Sequence, residues 1–156
     1  MSIQLHQISI SNGGVPKHPI EQAEVTVNGV AGDRQKNTKV HGGPKRAVSL
    51  FSLEIIQALQ TEGHPIVPGS TGENLTLAGL SPGVWAELKP GSRLKIGRTL
   101  EIEITGYANP CNQIAASFTD GNSNRISQKL HPGWSRLYAQ VITSGNIKTG
   151  DAATIE

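Results

Sequence analysis

Cysteine occurs once in the 156 residues, at Cys111, so no disulfide can close within the chain and a reducing, cytoplasmic setting is the default. Aromatic residues make up only 4%. No apolar run approaches the roughly 18 residues of a membrane span. The opening residues, Met1-Ser2-Ile3-Gln4-Leu5-His6, lack the basic start and apolar core of a signal peptide. Net charge is +2, too small an excess to imply a nucleic-acid partner. The five histidines show no His-x-x-x-His spacing and the lone cysteine no Cys-x-x-Cys, which argues against a zinc site. Gly-x-Ser-x-Gly and P-loop motifs are missing, which removes the commonest hydrolase and nucleotide-binding signatures.

What is abundant is turn chemistry: Gly 18 and Pro 9. Many short segments joined by tight turns favour a β-rich fold over a helical bundle, and the length suits one domain over residues 1–156. Ile3, Leu5, Ile8 and Ile10 alternate with polar residues but slip phase between His6 and Gln7, which predicts a strand with a bulge. A hairpin is expected around Asn28-Gly29 and a buried strand over residues 47–51. Ser52 has the chemistry of a helix cap, Leu53, Ile55, Ile56 and Leu59 follow at helical spacing, and Gly63 can end the helix. Residues 73–77 and 94–96 read as strands. So do residues 100–105, where Leu100, Ile102 and Ile104 alternate with Glu101, Glu103 and Thr105. Short helices are expected at residues 114–118 and 124–130, strands at 137–143 and 152–155, and turns at 16–19 and 144–146. Seven or eight short strands with one clear helix and one or two short ones predict a closed or partly closed β-barrel. A β-sandwich is the alternative.

Three stretches could carry chemistry. Residues 33–46 hold Arg34, Lys36, Lys39, Lys45 and Arg46 against a single acid, Asp33, around His41-Gly42-Gly43-Pro44. Such a loop offers N–H groups and cations to an anion, or is simply a solvated loop. Asn74 is polar within a strand pattern, either satisfying backbone near a turn or contacting a ligand. Cys111 follows Pro110 at the end of the most regular strand, among Asn109, Asn112 and Gln113. A lone cysteine is commonly a small buried hydrophobe, whereas an exposed thiolate is a nucleophile and a soft-metal ligand.

Taken in order, Gly32-Asp33-Arg34-Gln35, His41-Gly42-Gly43-Pro44-Lys45-Arg46-Ala47-Val48, Pro68-Gly69-Ser70-Thr71-Gly72-Glu73-Asn74-Leu75-Thr76, Gly79-Leu80, Thr105-Gly106, Asn109-Pro110-Cys111 and residues 145–151 resemble the MOSC domain. That module occurs at the C-terminus of molybdenum-cofactor sulfurases and as small stand-alone bacterial proteins. The resemblance implies a β-barrel-like fold and molybdenum-cofactor or sulfur chemistry. Enzymes of the family reduce N-hydroxylated compounds such as hydroxylaminopurines and amidoximes. It implies Cys111 as molybdenum ligand and catalytic residue, and Gly72, Glu73, Asn74 and Asn109 as cofactor-binding residues. His41, Lys45 and Arg46 would suit the phosphate of a molybdopterin-type cofactor. Many relatives carry a basic residue where this chain has Ala108. External electron-transfer proteins, a flavoprotein with an iron–sulfur or haem carrier, would supply a reductase acting on a small molecule. The aminotransferase-like domain of the sulfurases is missing, so no pyridoxal phosphate is expected on this chain. Two other functions remain open. One is a sulfur carrier with a Cys111 persulfide, served by a cysteine desulfurase; the other is a non-catalytic module that binds an anion through residues 34–46.

Overall fold

The structure, a computed structural model, describes residues 2–34 and 43–156. The described residues form eleven strands in chain order: β1 (Ile3–Ile10), β2 (His18–Ile20), β3 (Gln22–Thr26), β4 (Gly29–Val30), β5 (Val48–Ser52), β6 (Leu75–Ala78), β7 (Arg93–Ile96), β8 (Leu100–Tyr107), β9 (Leu137–Thr143), β10 (Gly145–Lys148) and β11 (Ala152–Ile155). Helix α1 (Leu53–Thr61) is the longest helix described, and α2 (Pro82–Trp85) is a single turn. Tight 3-10 turns occupy Pro44–Arg46, Asn112–Ser117 and Ser123–Ile126.

Seven strands close on themselves in the order β11-β7-β8-β9-β5-β6-β1, with β1 pairing back to β11. β2 adds to the outside of β1, and β10-β3-β4 form a small second sheet. Closure removes the exposed edges that so many short strands would otherwise present. The barrel, not the sandwich, is therefore the architecture.

The expected bulge is real. Leu5 pairs with Leu77 and Gln7 with Thr76, leaving His6 as the extra residue. That one-residue reset lets both Leu5 and Ile8 face the core, which strict alternation would forbid. All five residues of β5 are buried, as expected of a strand covered on both faces. Ile55, Ile56 and Leu59 of α1 are fully buried in the same apolar cluster. The Ser52 hydroxyl accepts from the Ile55 N–H at 3.1 Å and donates to the Leu80 carbonyl at 2.8 Å, so the cap also joins α1 to the loop after β6.

Some local expectations fail. Residues 144–146 do not form a simple turn: Gly145 and Asn146 begin β10, paired with β3. Added at Gly145, a Cβ would lie 2.4 Å from the Thr99 hydroxyl, so glycine here serves close strand approach. The loop expected at residues 16–19 includes β2, and the helix expected at 124–130 shrinks to Ser123–Ile126. Each is a weak local pattern overridden by pairing or packing elsewhere in the chain.

Candidate functional site

An open cleft forms where several strand ends meet, and Cys111 stands on its wall. The loop after β1 contributes Gly14, Val15 and Lys17; β5 contributes Ser49; the loop before β6 contributes Thr71 and Gly72. Residues 108–114, leaving β8, add Ala108, Asn109 and Cys111, and the β9 side adds Arg136 and Tyr138. Gly69 holds the Thr71 loop close: at φ +85 its imagined Cβ would sit 2.5 Å from the Lys17 carbonyl. Cys111 is half-buried and free. Its carbonyl accepts from the Ser123 hydroxyl at 3.1 Å and from the Ile114 N–H at 3.2 Å, which fixes the backbone bearing the thiol.

Arg136 is the residue that sequence reading missed. It is 8% exposed, yet no carboxylate among the described residues pairs with it. Its terminal nitrogens donate to the Thr71 carbonyl at 2.6 Å and the Asn109 carbonyl at 3.3 Å, and its Nε has no partner. Burial pushes its pKa down, opposed by Tyr138, Glu73 and Cys111, which favour the cation. Tyr138 beside it is pushed up by burial, against the pull of the Arg136 and Arg46 cations. A single arginine ahead of a strand carries no motif. The signal is tertiary: Ala108 N–H donates to the Arg136 carbonyl at 3.0 Å, so the arginine lies across from the strand that delivers the cysteine.

Other site expectations fall in different places. Gly72 lines the cleft, and so does Asn109. Glu73 and Asn74 do not reach it. Asn74 is fully buried; its Nδ2 donates to the Ser9 carbonyl at 3.2 Å and to Asp33 Oδ2 at 2.9 Å. Its Oδ1 accepts from the Ser49 N–H at 3.1 Å, so the side chain stitches β1, β5 and the Asp33 loop beneath the cleft. Glu73 is also fully buried, accepting from the Gly69 N–H at 3.1 Å and the Thr71 hydroxyl at 2.9 Å. Desolvation raises its pKa, against those hydrogen bonds and the Arg136 charge.

The basic loop is divided. His41, with Lys36 and Lys39, lies outside the described residues. Lys45 and Arg46 are exposed at the rim, where the Lys45 carbonyl accepts from the Thr105 hydroxyl and the Arg46 guanidinium sits 5.3 Å from the Tyr138 ring centroid. Asp33, the single acid of this stretch, pairs with Lys17 at 2.6 Å, both side chains being nearly buried. Lys17 is thereby neutralised, leaving Arg136 as the unpaired buried cation of the cleft among the described residues.

A broader depression near β3 and β10 carries charges of both signs, from Glu24, Arg98, Lys148 and Asp151, and no thiol. Among the described residues no group of three His, Cys, Asp or Glu side chains could hold a metal ion, and no helix is long and apolar enough to cross a membrane.

Fold and site together define a small β-barrel with a thiol and a buried cation on one cleft. The family model described as the MOSC domain matches residues 37–154, and the chain belongs to that family. MOSC domains are associated in general with molybdenum-cofactor binding. The chain is 24% identical over 139 residues to YflK of Bacillus subtilis (strain 168), a match covering 88% of this chain and 60% of that protein. It thus spans about three-fifths of that relative's length. Among solved structures, the YuaD protein from Bacillus subtilis superposes with a TM-score of 0.77 at 17% identity, over 98% of this chain and 94% of that one. YiiM from Geobacillus stearothermophilus gives 0.74 at 20% identity, over 99% and 75%. At these identities the structural likeness speaks for the fold.

Proposed function

We propose that this protein is a molybdenum-cofactor oxidoreductase that reduces N-hydroxylated compounds, hydroxylaminopurines or amidoximes, with Cys111 as the metal ligand. The observation that carries the reading is the position of Cys111. The thiol stands on the wall of an open cleft instead of filling the core as a small hydrophobe. The residues present fit such a group. A thiolate is a suitable soft ligand for a metal carrying sulfur ligands, and the unpaired Arg136 offers charge to an anionic moiety. When bound, the cofactor would supply two-electron redox chemistry.

The net reaction takes two electrons and two protons, breaks the N–O bond, and yields the N–H compound and water. The electrons would come from an external electron-transfer partner, a flavoprotein with an iron–sulfur or haem carrier. Tyr138 lines the cleft beside Arg136, where burial raises its pKa against the pull of the Arg136 and Arg46 cations. Ser49, Thr71 and Gly72 shape the opposing wall.

Metal analysis tests this directly. Protein from a host able to make the cofactor should carry stoichiometric molybdenum, and Cys111→Ala should lose it while melting normally. Wild-type protein from that host with no molybdenum would overturn the assignment.

A further inference from the structure

We propose that Arg136 is the oxyanion-recognition residue of the cleft, binding a phosphate or carboxylate group of the molecule that occupies it. The placement in this cleft rests on the functional reading above; the binding chemistry rests on Arg136 itself. Its guanidinium remains charged under ordinary conditions. Leaving such a cation buried without a counter-ion is costly, and natural folds retain it where it is paired or put to use.

Within the protein the charge is only partly met. One terminal nitrogen donates to Thr71 and the other to Asn109, both through neutral carbonyls, while Nε lacks a partner. Those carbonyls belong to the two loops flanking the cleft, so the guanidinium is anchored from both sides while lining the cavity. A planar fork held in this way suits the paired oxygens of a phosphate or carboxylate. Lys17 does not compete for the anion, because Asp33 already holds it at 2.6 Å. Glu73 forms no ion pair with Arg136: its carboxyl accepts from Gly69, Thr71 and Thr76. Arg136 is therefore a positioning and specificity residue for an anionic ligand rather than a structural salt bridge.

The full chain, made in a host that cannot synthesise the cofactor, would be titrated with inorganic phosphate and separately with acetate at matched ionic strength. The readouts are the side-chain Nε–H resonance of Arg136 and the anion-induced rise in melting temperature. In wild-type protein at least one anion should move the resonance and raise the melting temperature. Arg136→Met should weaken binding about tenfold to hundredfold, the range typical of hydrogen bonds to charged groups. Arg136→Lys, which keeps the charge without the fork, should fall between. A wild-type Nε–H unmoved by either anion would overturn the proposal even if the methionine variant fails to fold; so would a folded Arg136→Met with wild-type affinity. Cys111→Ala should still bind the anion, so absent molybdenum together with Arg136-dependent binding would reject the reductase reading and leave this proposal standing. Comparison with cofactor-loaded protein identifies the source. Loss of the response on loading assigns the oxyanion to the cofactor; a retained response assigns it to a separate substrate.

Discussion

Burial withdraws the Glu73 carboxyl from water, and that desolvation outweighs the hydrogen bonds and the Arg136 charge that favour ionisation. The folded protein therefore holds a proton that the unfolded chain releases near the ordinary glutamate pKa of about 4.3. Stability falls as pH rises from there toward the higher folded-state pKa, because the unfolded state binds fewer protons over that window. Glu73→Gln keeps an acceptor for the Gly69 N–H and gives the Thr71 hydroxyl a donor. It should match wild type near pH 4 and melt higher at pH 8. Melting curves at the two pH values decide it; a gap that does not grow with pH would show that Glu73 is ionised in the fold. Asn74 teaches the same lesson. Its polarity in a strand pattern was legible, but its partners, Ser9, Asp33 and Ser49, come from distant parts of the chain.

At the scale of elements, local pattern carried far. Strands β9 and β11 fall on residues 137–143 and 152–155 as the alternation predicts, and α1 begins behind its serine cap. That cap does two jobs. Ser52→Ala removes an N-cap bond, worth about 1 kcal/mol. It also leaves the buried Leu80 carbonyl without its donor, a loss of about 1–3 kcal/mol. Urea unfolding should therefore show a loss of about 2–4 kcal/mol, and a change below about 0.5 kcal/mol would mean that water or a neighbour replaces both bonds. The missed elements, β2 and β10, are short and hold proline or glycine, so their local signal reads as turn; pairing with β1 and β3 makes them strands.

At the scale of the whole molecule, β11 closes the barrel, since Ala153 pairs with Ile3 of β1 and with Ile96 of β7. Ala153 is 5% exposed, leaving no room for a hydrated charge. Ala153→Asp should cost about 4 kcal/mol or more, the range reserved for unpaired buried charges. Circular dichroism should show a much lower or broadened melt; a wild-type midpoint would mean that closure contributes little.

The sequence by itself determined a β-rich chain, its bulged first strand, its capped helix and the candidacy of Cys111, because alternation, capping chemistry and turn residues act over a few neighbouring positions. The tertiary structure decided which residues share the cleft. Pairing of β8 with β9 brings Arg136 and Tyr138 beside the segment bearing Cys111, while Glu73 and Asn74 are buried beneath the cleft. Ala108 and Arg136 meet through a backbone hydrogen bond, which sets the arginine across from the strand that delivers Cys111. No local pattern records such a pairing, which depends on the register between segments nearly thirty residues apart.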